Sequence, residues 1–201
     1  MSEPRMTAPQ HQSSENLSQL LVEAFEKKAL QRGSFVLASG KTASFYLDAK
    51  QVVLDGAGAM LVGQAVLARL QALGPLPDAV GGMSIGADPI TAAVVTMAGV
   101  AGLPLKGFMI RKEPKGHGLG RYVEGPVAAG NRVVILEDVV TTGGSSLLAI
   151  DRAEEFGLTV ERVVTLVDRL AGGADAFAAR GIPMESMLTI EDLGIDPATG
   201  S

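Results

Sequence analysis

The chain has 201 residues, 47% of them hydrophobic, with a net charge of −5 and no cysteine. That length and a mean hydropathy of +0.28 support one well-buried domain and exclude a disordered chain. The absence of cysteine excludes disulfides, thiolate nucleophiles and Cys-based metal sites; two histidines are too few for a His-rich one, and the acidic balance disfavours a nucleic-acid surface.

Residues 1–14 are polar, contain Pro4 and Pro9 and lack periodicity, which predicts a flexible tail. They also lack the apolar core of a signal peptide, and no apolar run reaches membrane-spanning length, so the expected location is the cytoplasm. Leu17, Leu20, Leu21, Ala24, Phe25 and Leu30 recur with a helical period. Ser13, Ser14 or Asn16 is available as its cap and Gly33 as its stop. Phe35-Val36-Leu37 and Phe45-Tyr46-Leu47 flank the turn Ser39-Gly40-Lys41, predicting a hairpin or hood outside the main sheet. A helix follows over about Ala57 to Leu73, then a strand at Ala79 to Gly82 and a loop from Met83 to Asp88. Pro89 suits the first turn of a helix running to about Val100, with Asp88 better explained as its cap than as a contact for metal-bound water. Strand Leu105 to Ile110 precedes a charged, glycine-rich loop from Arg111 to Gly125. The strand Val133 to Leu136, a helix to about Phe156, a strand Arg162 to Val167, a helix near Ala174 to Ala179 and a strand near Met184 to Thr189 complete the chain. Such alternation predicts an α/β fold with a central, mostly parallel sheet flanked by helices on both faces.

The most informative run is Val133-Val134-Ile135-Leu136-Glu137-Asp138-Val139-Val140-Thr141-Thr142-Gly143-Gly144-Ser145-Ser146. It reads as a strand buried on both faces that ends in two carboxylates, then a loop of small residues and a helix N-terminus. The N–H groups of Thr142 to Ser145 and the helix dipole suit a monophosphate. Two acids would repel a phosphate, but they suit a ligand that also carries vicinal ribose hydroxyls or develops positive charge. A strand-to-helix turn with an acidic capping flank would explain the carboxylate pair alone. No Gly-Lys-Ser/Thr follows, which excludes a Walker-type loop. In a parallel sheet, loops 83–88 and 141–145 and the residues after Val167, Asp168-Arg169, meet at the carboxyl ends of the strands.

The second constellation is Arg111-Lys112-Glu113-Pro114-Lys115-Gly116-His117-Gly118. On composition alone a solvated surface loop explains it best. A basic segment between glycine hinges also suits a lid that brings charge to a leaving group and excludes water.

The run from Val133 to Ser146 resembles the phosphoribosyl-pyrophosphate (PRPP) signature of the type I phosphoribosyltransferases. The order Arg-Lys-Glu-x-Lys-x-His-Gly resembles the mobile loop of the orotate phosphoribosyltransferases, and the likeness extends from Leu17 to Leu193. The resemblance implies one phosphoribosyltransferase domain over 15–201: a small N-terminal hood (about 15–55, plus the C-terminal end), a core (about 56–190) and a mobile lid (111–125). It implies transfer of the phosphoribosyl group from PRPP to orotate, giving orotidine 5′-monophosphate and pyrophosphate. Carried over by position, Arg111, Lys112, Lys115 and His117 contact the pyrophosphate, with Lys115 and His117 catalytic. Glu137 and Asp138 hold the ribose and steady its developing charge, also catalytic. Gly86, Val139, Val140 and Thr141, with Thr142, Gly143, Gly144 and Ser145, complete the PRPP site. Thr141 also nears the orotate, Arg169 pairs with its carboxylate, and Tyr46, with Phe45 adjacent, stacks on its ring. The planar guanidinium of Arg169 suits a carboxylate; without the other motifs an ordinary surface arginine ending a strand explains it better. Phe45 and Tyr46 are also explained as hood core.

The resemblance further implies Mg²⁺ held mainly by PRPP, no nucleic-acid or membrane partner, and a homodimer whose lid reaches the neighbouring site. Two departures stand out: many members carry lysine where this chain has Ala38 and Gly86. The N–H groups of Gly86 and Ala87, or Lys41 or Lys50, are available to replace those cations. A purine phosphoribosyltransferase is the alternative enzyme, opposed by Arg169 and the lid pattern. A PRPP-sensing regulator is the alternative of another class; it needs a basic surface or a DNA-binding segment.

Overall fold

The computed structural model describes residues 14–36, 42–114 and 121–199. In chain order the elements are α1 (Ser14–Lys28), β1 (Leu30–Val36), β2 (Thr42–Leu47), α2 (Lys50–Val53), α3 (Gly56–Ala72), β3 (Ala79–Met83), α4 (Ala87–Val100), β4 (Lys106–Ile110), β5 (Val123–Glu124), β6 (Arg132–Val140), α5 (Gly144–Glu155), β7 (Thr159–Asp168), α6 (Gly173–Ala178) and β8 (Met184–Thr189). The central sheet has the order β5-β4-β3-β6-β7-β8. All its pairings are parallel except β4 with the short edge strand β5.

Both faces of this sheet are covered, as its continuous aliphatic strands require. Successive side chains of β6 point to opposite faces. Val134 and Leu136 join a core with Leu21 of α1, Val66 of α3 and Val94 of α4. Val133 and Ile135 join the opposite core, with Ala149 and Ile150 of α5 and Phe177 of α6. No helix among the described residues is long and apolar enough to cross a membrane.

The hood is the antiparallel β1–β2 pair packed with α1. Arg32 ties it to the C-terminal segment, donating to the carbonyls of Leu193 (2.9 Å) and Gly194 (3.3 Å). Leu193 and Ile195 are buried in the same core as Leu17 and Phe25. The tail expected over 1–14 lies outside the described residues up to 13, and Ser14 opens α1. Residues 37–41, which hold the expected turn and Ala38, also lie outside.

Several boundaries differ from the sequence expectation. Leu30 opens β1 rather than closing α1, because pairing with Leu47 competes with another helical turn. Gly33 lies within β1, where the register shifts between Arg32 and Phe35, and is not a helix stop. β6 does not end at Leu136 but runs through both acids to Val140, since Glu137, Val139 and Val140 still pair with Thr165, Val167 and Asp168 of β7. Helix α4 begins at Ala87 with Gly86 at its cap position, so Asp88 sits inside the first turn and caps nothing. Its carboxylate instead accepts from Ser84 Oγ at 3.0 Å. The expected 111–125 loop is closed at its base: Ile110 pairs with Val123, and the Arg111 N–H donates to the Tyr122 carbonyl at 2.9 Å.

Candidate active site

Three adjoining clefts form one trough along the carboxyl ends of β3, β6 and β7. The middle one, about 340 Å³, is lined by Glu137 and by Val139 through Ser146. Here β6 passes into α5 through Gly143, whose φ of +81° is a left-handed value that a side chain resists. A Cβ at this position would also lie 2.9 Å from the Phe177 ring. No side chain caps the α5 N-terminus. Its N–H groups and dipole therefore face the cleft, an arrangement that favours an anion.

Glu137 and Asp138 are neighbours in a strand, and their carboxyl groups remain close enough to interact. Glu137 turns towards α5, is 7% exposed, and accepts a hydrogen bond from the fully buried Ser146 hydroxyl at 2.6 Å. Burial pushes its pKa up to about 7; the Ser146 bond opposes this and the charge of Asp138 adds to it. Asp138 turns towards α2 and loop 84–86, accepting from the Val139 N–H at 2.9 Å. Both acids open on the third cleft, about 350 Å³, together with Lys50, Ser84, Gly86, Lys112 and Ser145. Lys50 Nζ lies 3.1 Å from Asp48 and 3.8 Å from Asp138. The hydrogen bond to Asp48 raises the Lys50 pKa and keeps the ammonium charged.

The first cleft, about 620 Å³, lies between hood and sheet and includes Ser44, Phe45, Thr141 and Arg169. Thr141 also lines the middle cleft, which makes the two continuous. Arg169 follows β7 directly, and its N–H donates to the Val140 carbonyl at 2.9 Å. The Asp168 carboxylate then accepts from the Leu170 N–H at 2.8 Å, holding Leu170 at a φ of +52°. This tight turn aims the Arg169 guanidinium across the Phe45 ring, 4.8 Å from its centroid. The stacked guanidinium keeps a planar donor edge for a carboxylate.

At the other end, Arg152 of α5 donates to the carbonyls of Arg111 and, at 2.9 Å, Lys112. Its guanidinium also lies 4.1 Å from the Tyr122 ring centroid. The backbone that carries Arg111 and Lys112 is thus fixed from below, while their side chains remain exposed.

An orotate phosphoribosyltransferase of Rhodopirellula baltica is 55% identical to this chain over 181 residues, covering 88% of the chain and 94% of the relative. The chain belongs to the orotate phosphoribosyltransferase family. Another member, from Thermosynechococcus vestitus, is 43% identical over 179 residues, covering 89% and 93%. The crystal structure of Mycobacterium tuberculosis orotate phosphoribosyltransferase in complex with Fe(III) dicitrate superposes with a TM-score of 0.79 at 34% identity, covering 89% of this chain and 99% of that one. The complex of the same enzyme with PRPP gives a TM-score of 0.75 at 31% identity and the same coverage. No model of a protein family matches the chain. The sheet and its flanking helices are thus the type I phosphoribosyltransferase architecture.

Among the residues singled out from the family likeness, the trough brings together Gly86, Lys112, Glu137, Asp138, Val139, Val140, Thr141, Thr142, Gly143, Gly144, Ser145 and Arg169. Arg111 stands at the base of the basic segment, 3.9 Å from Glu124. Lys115 and His117 lie outside the described residues. Tyr46 does not line the trough: it is 47% exposed and its ring packs against Phe35, 5.9 Å between centroids. Strand alternation gives the cleft to Phe45 instead. Ser146 and Arg152 were missed. Nothing in a lone serine or arginine of a helix signals a partner 9 or 41 positions away.

Proposed function

We propose that the protein transfers the 5-phosphoribosyl group from PRPP to orotate, giving orotidine 5′-monophosphate and pyrophosphate, a step of pyrimidine biosynthesis. The continuity of the trough supports this most directly: a guanidinium–aromatic pair, an anion-binding helix terminus and a basic rim adjoin an acid pair, as a ribose with a phosphate at C5 and an exchange of pyrophosphate for a base at C1 requires. Arg169 takes the orotate carboxylate bidentately, held by the Asp168 turn and the Phe45 ring. The N–H groups of Thr142 to Ser145 take the 5′-phosphate. Glu137 and Asp138 hold the ribose hydroxyls. As the bond from the anomeric carbon to pyrophosphate breaks, its electron pair leaves with the pyrophosphate and the ring gains positive charge, which these acids stabilise. The pyrimidine nitrogen then bonds to the same carbon, and the nitrogen's proton passes to water or to the departing pyrophosphate. Orotate supplies a competent nucleophile, so no strong protein base is needed. Arg111 and Lys112 face the leaving group; the family likeness adds Lys115 and His117 to the groups that act on it, and His117 is the one suited to give it a proton near neutral pH.

Magnesium bound to the pyrophosphate would supply neutralisation of leaving-group charge. The donors present suit an ion carried by substrate. Asp138, which opens on the third cleft, is the carboxylate that would meet such an ion. The reading extends to a single hood-plus-core domain working in the cytoplasm as a homodimer, with segment 111–125 reaching the neighbouring site. The charged, glycine-rich composition of that segment supports this, and sedimentation tests the dimer. Incubation with PRPP, magnesium and orotate, followed by the loss of orotate absorbance, tests the reaction. Turnover of hypoxanthine or adenine instead, or of no base, refutes it.

A further inference from the structure

The loop between β3 and α4 offers no cation to a pyrophosphate: Ser84, Ile85, Gly86, Ala87 and Asp88 are neutral or acidic. A longer residue at Gly86 would require the Asp138 carboxylate to shift. A Cβ there would lie 2.9 Å from Asp138 Oδ1 and 3.1 Å from its Cγ, and the Val139 N–H holds that carboxylate in place. A cation for this cleft has to come from another element.

α2 supplies one. Lys50 opens that helix immediately after the hood strand β2, and its ammonium hangs into the cleft that Ser84, Gly86, Lys112, Glu137 and Asp138 line. Asp48 fixes it twice, accepting from the Lys50 N–H at 3.2 Å and from Nζ at 3.1 Å. Gln51 holds the other Asp48 oxygen at 3.1 Å. Asp138, 3.8 Å from Nζ, is too distant for a strong hydrogen bond, and Tyr46 acts on the ammonium only through space, so the ammonium keeps donor capacity for an anion. Among the described residues that line the cleft, Lys50 and Lys112 are the cations. Lys112 rides on the segment that follows β4, whereas Lys50 stands on the hood.

We infer that Lys50 binds the pyrophosphate group of PRPP, supplying from α2 the fixed positive charge that the β3–α4 loop lacks at Gly86. The inference rests on the reading of the trough as a PRPP site. It makes Lys50 a substrate-binding residue and Asp48 its positioning residue.

The test compares wild type with Lys50→Ala, Lys50→Gln and Lys50→Arg. KM values for PRPP and orotate, competitive inhibition by inorganic pyrophosphate, and binding of ribose 5-phosphate are all measured. Loss of one charge-assisted contact should weaken PRPP and pyrophosphate by about 10- to 100-fold in the Ala and Gln variants. Orotate KM and ribose 5-phosphate affinity should stay within about twofold, and Lys50→Arg should recover most of the loss. Unchanged pyrophosphate inhibition in Ala and Gln overturns the inference. So does equal weakening of every ligand, which would mark Lys50 as merely structural. Absence of orotate turnover in the wild type would instead overturn the parent reading.

Discussion

A buried Glu137 that holds its proton to about pH 7 has a measurable cost when that proton leaves. In the unfolded chain the same carboxyl ionises near its ordinary 4.5. Between these values the folded state binds more protons than the unfolded state, so stability is fully present below about pH 4.5, falls as pH rises, and levels off above about pH 7. The displacement corresponds to about 3 kcal/mol. Its cause is the withdrawal of a charge from water beside Asp138, which the Ser146 hydrogen bond offsets only in part. Glu137→Gln keeps a carbonyl for Ser146 but carries no charge. Urea unfolding of both proteins at a series of pH values from 4.5 to 8 gives the difference in stability, in which the titration of the other carboxylates largely cancels. Wild type should lose about 3 kcal/mol relative to the variant across that range. Parallel profiles, or a wild type that gains relative stability with pH, would refute the burial argument.

The acceptor end allows two tests. Arg169→Lys retains charge but loses the planar fork, so orotate KM should rise about tenfold or more while PRPP KM changes little. Steady-state kinetics with each substrate varied decides this; equal rises would assign Arg169 to the general fold of the site. Phe45→Leu should raise orotate KM more than Tyr46→Leu does, because Phe45 lines the cleft and carries the Arg169 guanidinium. The reverse order would return the stacking role to Tyr46. Arg152→Met removes hydrogen bonds to the Arg111 and Lys112 carbonyls and the contact with Tyr122. Turnover should fall more than tenfold while unfolding free energy drops by only about 1–2 kcal/mol. A large stability loss with normal turnover would refute the anchoring role.

The strand–helix alternation and the turn between β6 and α5 were legible because they depend on local pattern. The aliphatic run of β6 with Thr-Thr-Gly-Gly after it identifies a buried strand, a turn and a helix start without long-range information. The end of β6 was not legible. Glu137 and Asp138 read as a terminus, yet β7 continues to offer backbone partners through Val167 and Asp168. A ladder overrides residue preference. The same applies to Leu30, which fits the helical period of α1 but pairs with Leu47. Phe45 and Tyr46 are adjacent in β2 and point to opposite sides, so which of them lines the cleft depends on the parity of the strand, and two neighbouring aromatics do not reveal that parity. Short elements such as α2 and β5 carry too few residues to show periodicity. The placement of Lys50 was hidden for that reason, although its charge was plain.

The backbone bond from Arg111 to Tyr122 makes the basic segment a removable cassette. Its two ends are already neighbours in a ladder, so shortening the intervening chain changes closure entropy only slightly and leaves β4 and β5 paired. Segments of other length or charge can therefore be spliced between these two residues while the β4–β5 pair that closes them and the trough walls on β6 and β7 keep their positions.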